Sequence, residues 1–550
     1  MSAHLPRNDL RLATPDETRP TPKKQRANPL LPAIIVIVVF IIRILTRAKY
    51  MFYLSSFAFA VGTEAYNPAL LHPQPPGYPA FVGLTKLLLF SGIDHCLAME
   101  LISALASGVA CAYLFLLIYK LTTTNLALTM TSAFAFNPIF WYYGANPLTY
   151  ALSSAFACAV AYHLWLATSE KTFHFPLACA LTAIGGAFRQ DIALFMLPLL
   201  IWGGWRLRHY VKTVLLGGVL FLALNLSWFI LVLTASGGWG PYFATSSKIF
   251  SRFLSTYSVF FGGERAISIV MKVFGWTVVS AILPLSALLI TPFLKNRSKP
   301  GERKPIPLSF ILTWLIPPLA FFLLLYIASA GYLLIVIPAF YLLCALVWHR
   351  RGMKGLTVHI LMTAGVILGA GIFMGVNPQS LQAPTIAENL TQLRLNKLVL
   401  QFSYSEINKR DSTICQLAGI LGEENYKNHL ILCDHIGRYP DFAWRDVVQW
   451  YSPQDTTVAS FSRFWDFDPP LIKALDENYI LQEYHADRFP LQPELYGHYI
   501  IISDIPFPPA HIFDVQEILN INRFVFLYRI ETTHSLSILL DHLEYGEGAR

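Results

Sequence analysis

The sequence predicts a polytopic α-helical membrane protein of about eleven spans, followed by a C-terminal α/β domain outside the cytoplasm. Three observations carry this. The chain is 55% hydrophobic and only 13% charged, with a mean hydropathy of +0.48, whereas soluble domains run at about 25% charged. Apolar runs of spanning length recur down to Val376. Beyond that point hydropathy drops and short strand-like runs alternate with helix-like ones, the pattern of an α/β domain.

The first 28 residues are polar and rich in Pro, Lys and Arg, a composition that cannot bury a core and predicts a disordered tail. The run 29–45 carries Arg43 near its end and is followed by Arg47 and Lys49 and by no small-residue cleavage site, so it is expected to remain as the first span rather than to leave as a signal peptide. Further spans are expected at 97–119, 125–143, 147–168, 173–188, 191–205, 211–234, 267–294, 306–328, 332–348 and 355–376. Three of these, 125–143, 173–188 and 191–205, are short, as helices that end against a protein-lined site often are. The apolar piece 77–91 follows two prolines and reads as an interfacial helix.

Loop charge sets orientation. The N-terminal tail is basic, and Lys120, Lys171, Arg206, Arg208, Lys212, Lys295, Arg297, Lys299, Arg350, Arg351 and Lys354 fall in alternate loops. All lie on one side if the N-terminus is cytoplasmic, and an odd number of spans then places everything after Val376 outside. The net charge of +8 is therefore a topology signal and no nucleic-acid footprint. The expected organisation is a tail at 1–28, a membrane body at 29–376 with outward loops 46–96 and 235–266, a linker at 377–393 and a soluble domain at 394–550. In that domain strands are expected at 397–402, 429–433, 456–461, 498–503 and 523–530, and helices at 412–421, 442–450 and 470–477. Asp434, His435 and Arg438 follow a strand end, a frequent position for α/β sites and equally for ordinary loop polarity. Cys415 and Cys433 are able to form a disulfide in an external domain. The other five cysteines lie in apolar stretches and are expected to pack.

The first outward loop reads GTEAYNPALLHPQPPGYPAFVGL over 62–84. Glu64 is the sole acidic residue between Glu17 and Asp94, and a lone carboxylate there is either a general base or a solvated charge. His72, Gln74 and Tyr78 belong to a rigid proline-rich turn able to shape a pocket edge, with Gly77 permitting close backbone approach. Arg189 and Asp191 stand between two short spans. Charges at membrane depth cost roughly 2.5–3.5 kcal/mol each, so the two either pair with each other, snorkel, or hold a phosphate, for which Arg is well shaped. Trp141, Tyr142, Tyr143, Asn146 and Tyr150 form an aromatic turn, read as an interfacial belt or a sugar-stacking surface. Lys248, Arg252, Glu264 and Arg265 are further loop charges able to face an anion. No acidic cluster of metal-site type occurs in the first loop, and neither metal nor cofactor is expected.

Three segments resemble the GT-C superfamily of membrane glycosyltransferases, in particular protein O-mannosyltransferases and aminoarabinose transferases. They are HPQPPGYP at 72–79, NPIFWYYGANPLTYAL at 137–152 and GGAFRQDIALFMLPLL at 185–200. AGYLLIVIPAF at 330–340 is similar to a stretch in uncharacterised members. The resemblance implies sugar transfer from a polyprenyl-phosphate donor to a glycan, lipid or protein acceptor, on the outer face of a bilayer such as a cell inner membrane. It implies an acid shortly after the first span as the base. Residues 46–63 hold none, Ser55 and Ser56 stand about where one is expected, and Glu64 is the nearest substitute. The resemblance thus assigns Glu64 as base and His72, Gln74, Tyr78, Tyr143, Arg189 and Asp191 to substrate binding. Rival readings are a transporter or flippase of a lipid-linked substrate and a scaffold that presents the C-terminal domain. Transport would need polar residues along a through-path, and the spans offer few and show no inverted repeat.

Overall fold

The structure, a computed structural model, describes residues 29–261, 266–290, 307–325, 329–350, 355–375, 400–422, 430–434, 444–451, 457–461, 498–503, 515–520 and 526–531. The tail 1–28, the linker 377–393, the helix expected at 470–477, and Glu264, Arg265, His435 and Arg438 lie outside them.

Helices dominate the membrane body. They are α1 (Leu30–Leu45), α2 (Leu54–Glu64), α3 (Pro79–Leu89), α4 (His95–Leu121), α5 (Thr124–Ala135), α6 (Pro138–Gly144), α7 (Tyr150–Ser169), α8 (His174–Phe188), α9 (Gln190–Arg206) and α10 (Val211–Ala235). α11 (Trp239–Tyr257), α12 (Ala266–Ile290), α13 (Leu308–Leu324), α14 (Ile337–Arg350) and α15 (Gly355–Gly375) follow. Among the described residues, α4, α7 and α10 are long and apolar enough to cross a membrane. The apolar windows of α4 and α7 are 72% buried and that of α10 is 6% buried, so α4 and α7 form the centre of the bundle while α10 leaves most of its apolar surface uncovered. α1 and α7 both pack along α4, and α8 bridges α7 and α10. α4 begins where the Asp94 carboxylate caps Leu97 N–H at 3.0 Å. Its 27 residues span about 40 Å, beyond a hydrocarbon core of about 30 Å. α8 has 15 residues and reaches only about 22 Å.

Two expected spans are broken. The run 125–143 divides into α5 and α6, because Asn137 turns its carboxamide onto Phe140 N–H at 3.1 Å and Pro138, at the first position of α6, has no N–H to continue α5. The run 332–348 begins as a 3-10 turn, Ala330–Ile335, before α14 starts. The helix expected at 77–91 is α3, and the two long loops also hold structure that periodicity did not reveal, α2 in the first and α11 in the second. Arg43 ends α1 fully buried. It donates to the Ala135 carbonyl at the C-terminus of α5 and lies over the Phe140 and Trp141 rings, at 5.4 and 5.1 Å. A cation at a helix C-terminus is favoured by the dipole, and here it fastens the α5–α6 corner to α1.

Past α15 the chain forms a 3-10 turn, Leu400–Phe402, where a strand was expected, then α16 (Tyr404–Leu421) and α17 (Trp444–Tyr451). Ser403 caps α16 through Glu406 N–H at 3.2 Å. Strands β1 (Leu430–Asp434), β2 (Thr457–Phe461), β3 (His498–Ser503), β4 (Val515–Asn520) and β5 (Phe526–Glu531) make one sheet in the order β2-β1-β3-β5-β4. β1 runs parallel to β2 and β3, with Leu430 opposite Thr457 and Tyr499, while β5 is antiparallel to β3 and β4.

Candidate functional site

The first loop is a folded turn. Asn67 and His72 exchange both backbone hydrogen bonds, at 2.7 and 3.0 Å, and Asn67 Oδ1 caps Ala69 N–H at 3.1 Å. This small closure buries His72. The chain then passes two cis bonds, His72–Pro73 and Pro75–Pro76, and two left-handed residues, Gly77 at φ 103° and Tyr78 at φ 46°. Gly77 is required on two counts. Its φ lies where L side chains are strained, and a Cβ there would stand 2.8 Å from the Tyr66 hydroxyl, which donates to the Gly77 carbonyl at 2.8 Å. Gln74 Nε2 donates to Ser55 Oγ at 3.2 Å, tying the turn to the start of α2. Pro79 then opens α3.

The junction of α8 and α9 meets this turn. Arg189 is extended and buried between the two helices. Its Nε and Nη2 donate to the two oxygens of Asp191 at 3.1 and 2.6 Å, and its Nη1 donates to Thr149 Oγ1 at 2.8 Å. The guanidinium lies over the Tyr150 ring at 4.4 Å and the Tyr332 ring at 5.2 Å. Gly331 permits this arrangement, since a Cβ there would meet the Tyr150 ring at 2.4 Å. Gln190 Nε2 donates to the Pro76 carbonyl at 3.0 Å and its side chain lies near Tyr242 of α11, whose Thr245 Oγ1 donates to the Ala69 carbonyl at 2.9 Å. Burial holds the Tyr78 phenol well above its ordinary value, against the pull of the nearby Arg189 charge. Turn 72–79, junction 188–191 and helix α11 therefore converge on one place.

From Arg189 a row of tyrosines leads away. Tyr150 and Tyr143 pack edge to face at 4.8 Å, and Tyr143 and Tyr142 at 5.4 Å. The Tyr143 hydroxyl bonds Ser329 Oγ. The Tyr142 hydroxyl shares a hydrogen bond with Tyr53 at 2.6 Å and accepts one from Arg410 Nη1 at 2.7 Å. The aromatic turn read as a belt or stacking surface is, for Tyr142 and Tyr143, buried packing.

Glu64 stands apart. It ends α2, at the opposite end from Ser55, with its side chain 57% exposed and Oε1 4.0 Å from His95 Nε2. Among the described contacts, none joins it to Arg189, Asp191 or Tyr78. The structure sets Tyr78 beside Arg189 and Asp191 and links Tyr143 to them through Tyr150, whereas the His72–Pro73 backbone lies against Gly62 of α2 and Gln74 bonds Ser55. Lys248 is exposed on α11, Asp434 ends β1, and Cys415 is an exposed thiol outside any disulfide. Sequence reasoning passed over Arg410, Asp411, Tyr53 and Tyr451. The signal for Arg410 and Asp411 was the amphipathic run of α16, which gives a buried face and no hint of its partner.

No family model and no curated protein matches the chain. Among solved structures, ArnT from Cupriavidus metallidurans bound to undecaprenyl phosphate superposes with a TM-score of 0.54 at 13% identity, over 92% of this chain and 98% of that one. ArnT from the same organism in the apo state gives a TM-score of 0.51 at 13% identity, over 90% and 97%. The likeness spans nearly the whole of both chains and shows a shared fold.

Proposed function

We propose, from a fold shared with a protein crystallised with undecaprenyl phosphate, that this chain is a membrane glycosyltransferase that moves a sugar from a polyprenyl phosphate to a glycan, lipid or protein acceptor. The supporting observation is the convergence of a buried, π-stacked arginine with the proline-rich turn, joined by the bond from Gln190 to Pro76. In this reading the N-terminus is cytoplasmic, the junction and the C-terminal domain face outward, about eleven spans cross an inner membrane, and residues 394–550 close over the site.

The chemistry is an inverting displacement. The acceptor oxygen attacks the anomeric carbon and its proton passes to a carboxylate. The bond from carbon to phosphate oxygen breaks, and the polyprenyl phosphate leaves with the electron pair. A phosphate monoester needs electrostatic stabilisation rather than a proton, which Arg189 supplies. Arg189 is engaged by Asp191 on two nitrogens, so an arriving phosphate competes for the same fork and releases a carboxylate beside it. Glu64 serves as the base if the acceptor enters at the His95 end of α2, and Asp191 if it enters at the junction. His72, Gln74 and Tyr78 shape the wall, with Tyr143 behind it.

Transfer of labelled sugar from a polyprenyl-phosphate donor in reconstituted membranes tests the reading. Arg189→Ala is expected to lower kcat/KM by about a hundredfold or more. Loss in Glu64→Gln with retention in Asp191→Asn assigns the base to Glu64, and the reverse assigns it to Asp191. Lipid movement across the bilayer with no bond broken would replace transfer by transport.

A further inference from the structure

The strap 46–53 between α1 and α2 forms no helix or strand of its own, so its backbone amides need partners from elsewhere. Three of them come from beyond the membrane body. Lys49 N–H and Tyr50 N–H donate to the two oxygens of Asp411 at 2.8 and 3.2 Å, and Met51 N–H donates to the Tyr451 hydroxyl at 2.7 Å. Asp411 is 5% exposed on α16, and Tyr451 ends α17. One residue earlier on α16, Arg410 is 7% exposed and lies 4.6 Å from the centre of the Phe52 ring. It donates to Tyr142 at 2.7 Å, to Tyr53 at 3.4 Å and to Glu406 at 3.1 Å. Tyr53 is the residue from which α2 starts. Two guanidinium groups far apart in sequence, Arg189 and Arg410, therefore bracket one row of tyrosines, 150, 143 and 142.

We propose that α16 is a positioning element of the transfer site: Asp411 holds the strap that feeds α2, and Arg410 holds Tyr53 and Tyr142 at the end of the row remote from Arg189. The membrane body is then competent only with this helix docked. The proposal rests on the transfer reading for its kinetic part alone. A buried amide left without its acceptor is destabilising, and a shift of an ångström in a positioned group costs about a hundredfold in rate.

The test has two arms in the full-length protein. The Tyr50 side chain lies beside Cys415 of α16, so Tyr50→Cys places a thiol near a native one, and oxidative cross-linking reads docking without any substrate. Asp411→Ala and Arg410→Met are expected to slow cross-linking by about tenfold or more. In the second arm, with Tyr50 intact, the same two substitutions are expected to lower kcat by about tenfold or more with KM within about threefold. Arg410→Lys should recover part of the loss. Tyr142→Phe removes one hydroxyl and keeps the ring, and should lower kcat where larger changes spoil folding. Cross-linking at the wild-type rate in both variants, or full kcat when cross-linking is lost, overturns the proposal. Wild-type protein that docks yet transfers no sugar from any donor overturns the transfer reading instead, and the cross-linking arm still decides whether α16 holds the strap.

Discussion

Arg189 is a cation whose charge is matched before any ligand arrives, by Asp191 and by two aromatic faces. The choice between internal pair and phosphate holder is thereby recast, since a paired arginine in a shared fork binds phosphate by exchange. Asp411 shows the opposite economy, a carboxyl group enclosed by a strap. Burial pushes it up to about 6, against the downward pull of the Lys49 and Tyr50 amides and of the Lys49 and Arg47 charges. A docked carboxyl that keeps its proton above the ordinary value of 3.8 makes docking strongest below that value. The contribution is lost as pH rises through about 6. Thermal unfolding of the C-terminal region should show a midpoint that falls across this window in wild type. A profile of the same slope in Asp411→Asn would assign the dependence to another group. The Arg189–Asp191 pairing was one of the alternatives legible in the sequence, and the enclosure of Asp411 was not. Arg189 and Asp191 stood out because charge is rare in apolar sequence, whereas Asp411 sits in a polar run where charge is ordinary.

At the scale of elements, the corner between α5 and α6 aims the aromatic turn. Asn137 caps α6 and also donates through Nδ2 to the Ser280 carbonyl of α12 at 2.6 Å. Asn137→Ala removes a cap worth about 1 kcal/mol and leaves a buried carbonyl short of its donor, a further penalty of about 1–3 kcal/mol. A lowered melting temperature in detergent is expected, and an unchanged one would show that the corner is held by Arg43 alone. The sequence Asn-Pro marks this break plainly, yet the apolar run continues through it, so a hydropathy window merges the two helices. α2 escaped notice for a related reason. Its eleven residues are too few for a span, and its buried positions run almost all round, which removes the amphipathic period.

For the whole molecule, the external placement of the C-terminal region is tested by one thiol. Cys415 is exposed, and the other described cysteine side chains are buried. A membrane-impermeant maleimide added outside intact cells should label the wild type and not Cys415→Ser. Labelling that appears only after lysis would invert the orientation and move the proposed site to the cytoplasmic side. The membrane character, the order of helices, the proline turn, the arginine junction and most strands of the sheet were legible in the sequence by itself, because each rests on composition, spacing or a residue with a fixed local habit. The strands at 430–434, 457–461, 498–503 and 526–531 lie within a few residues of expectation, whereas β4 was missed and the expected strand at 397–402 ends in a 3-10 turn. Tertiary structure alone set Glu64 within 4.0 Å of His95 and brought α16 onto the strap. Both follow from contacts between residues distant in the chain, where a side chain's partner is set by packing and by the amides that packing leaves unsatisfied.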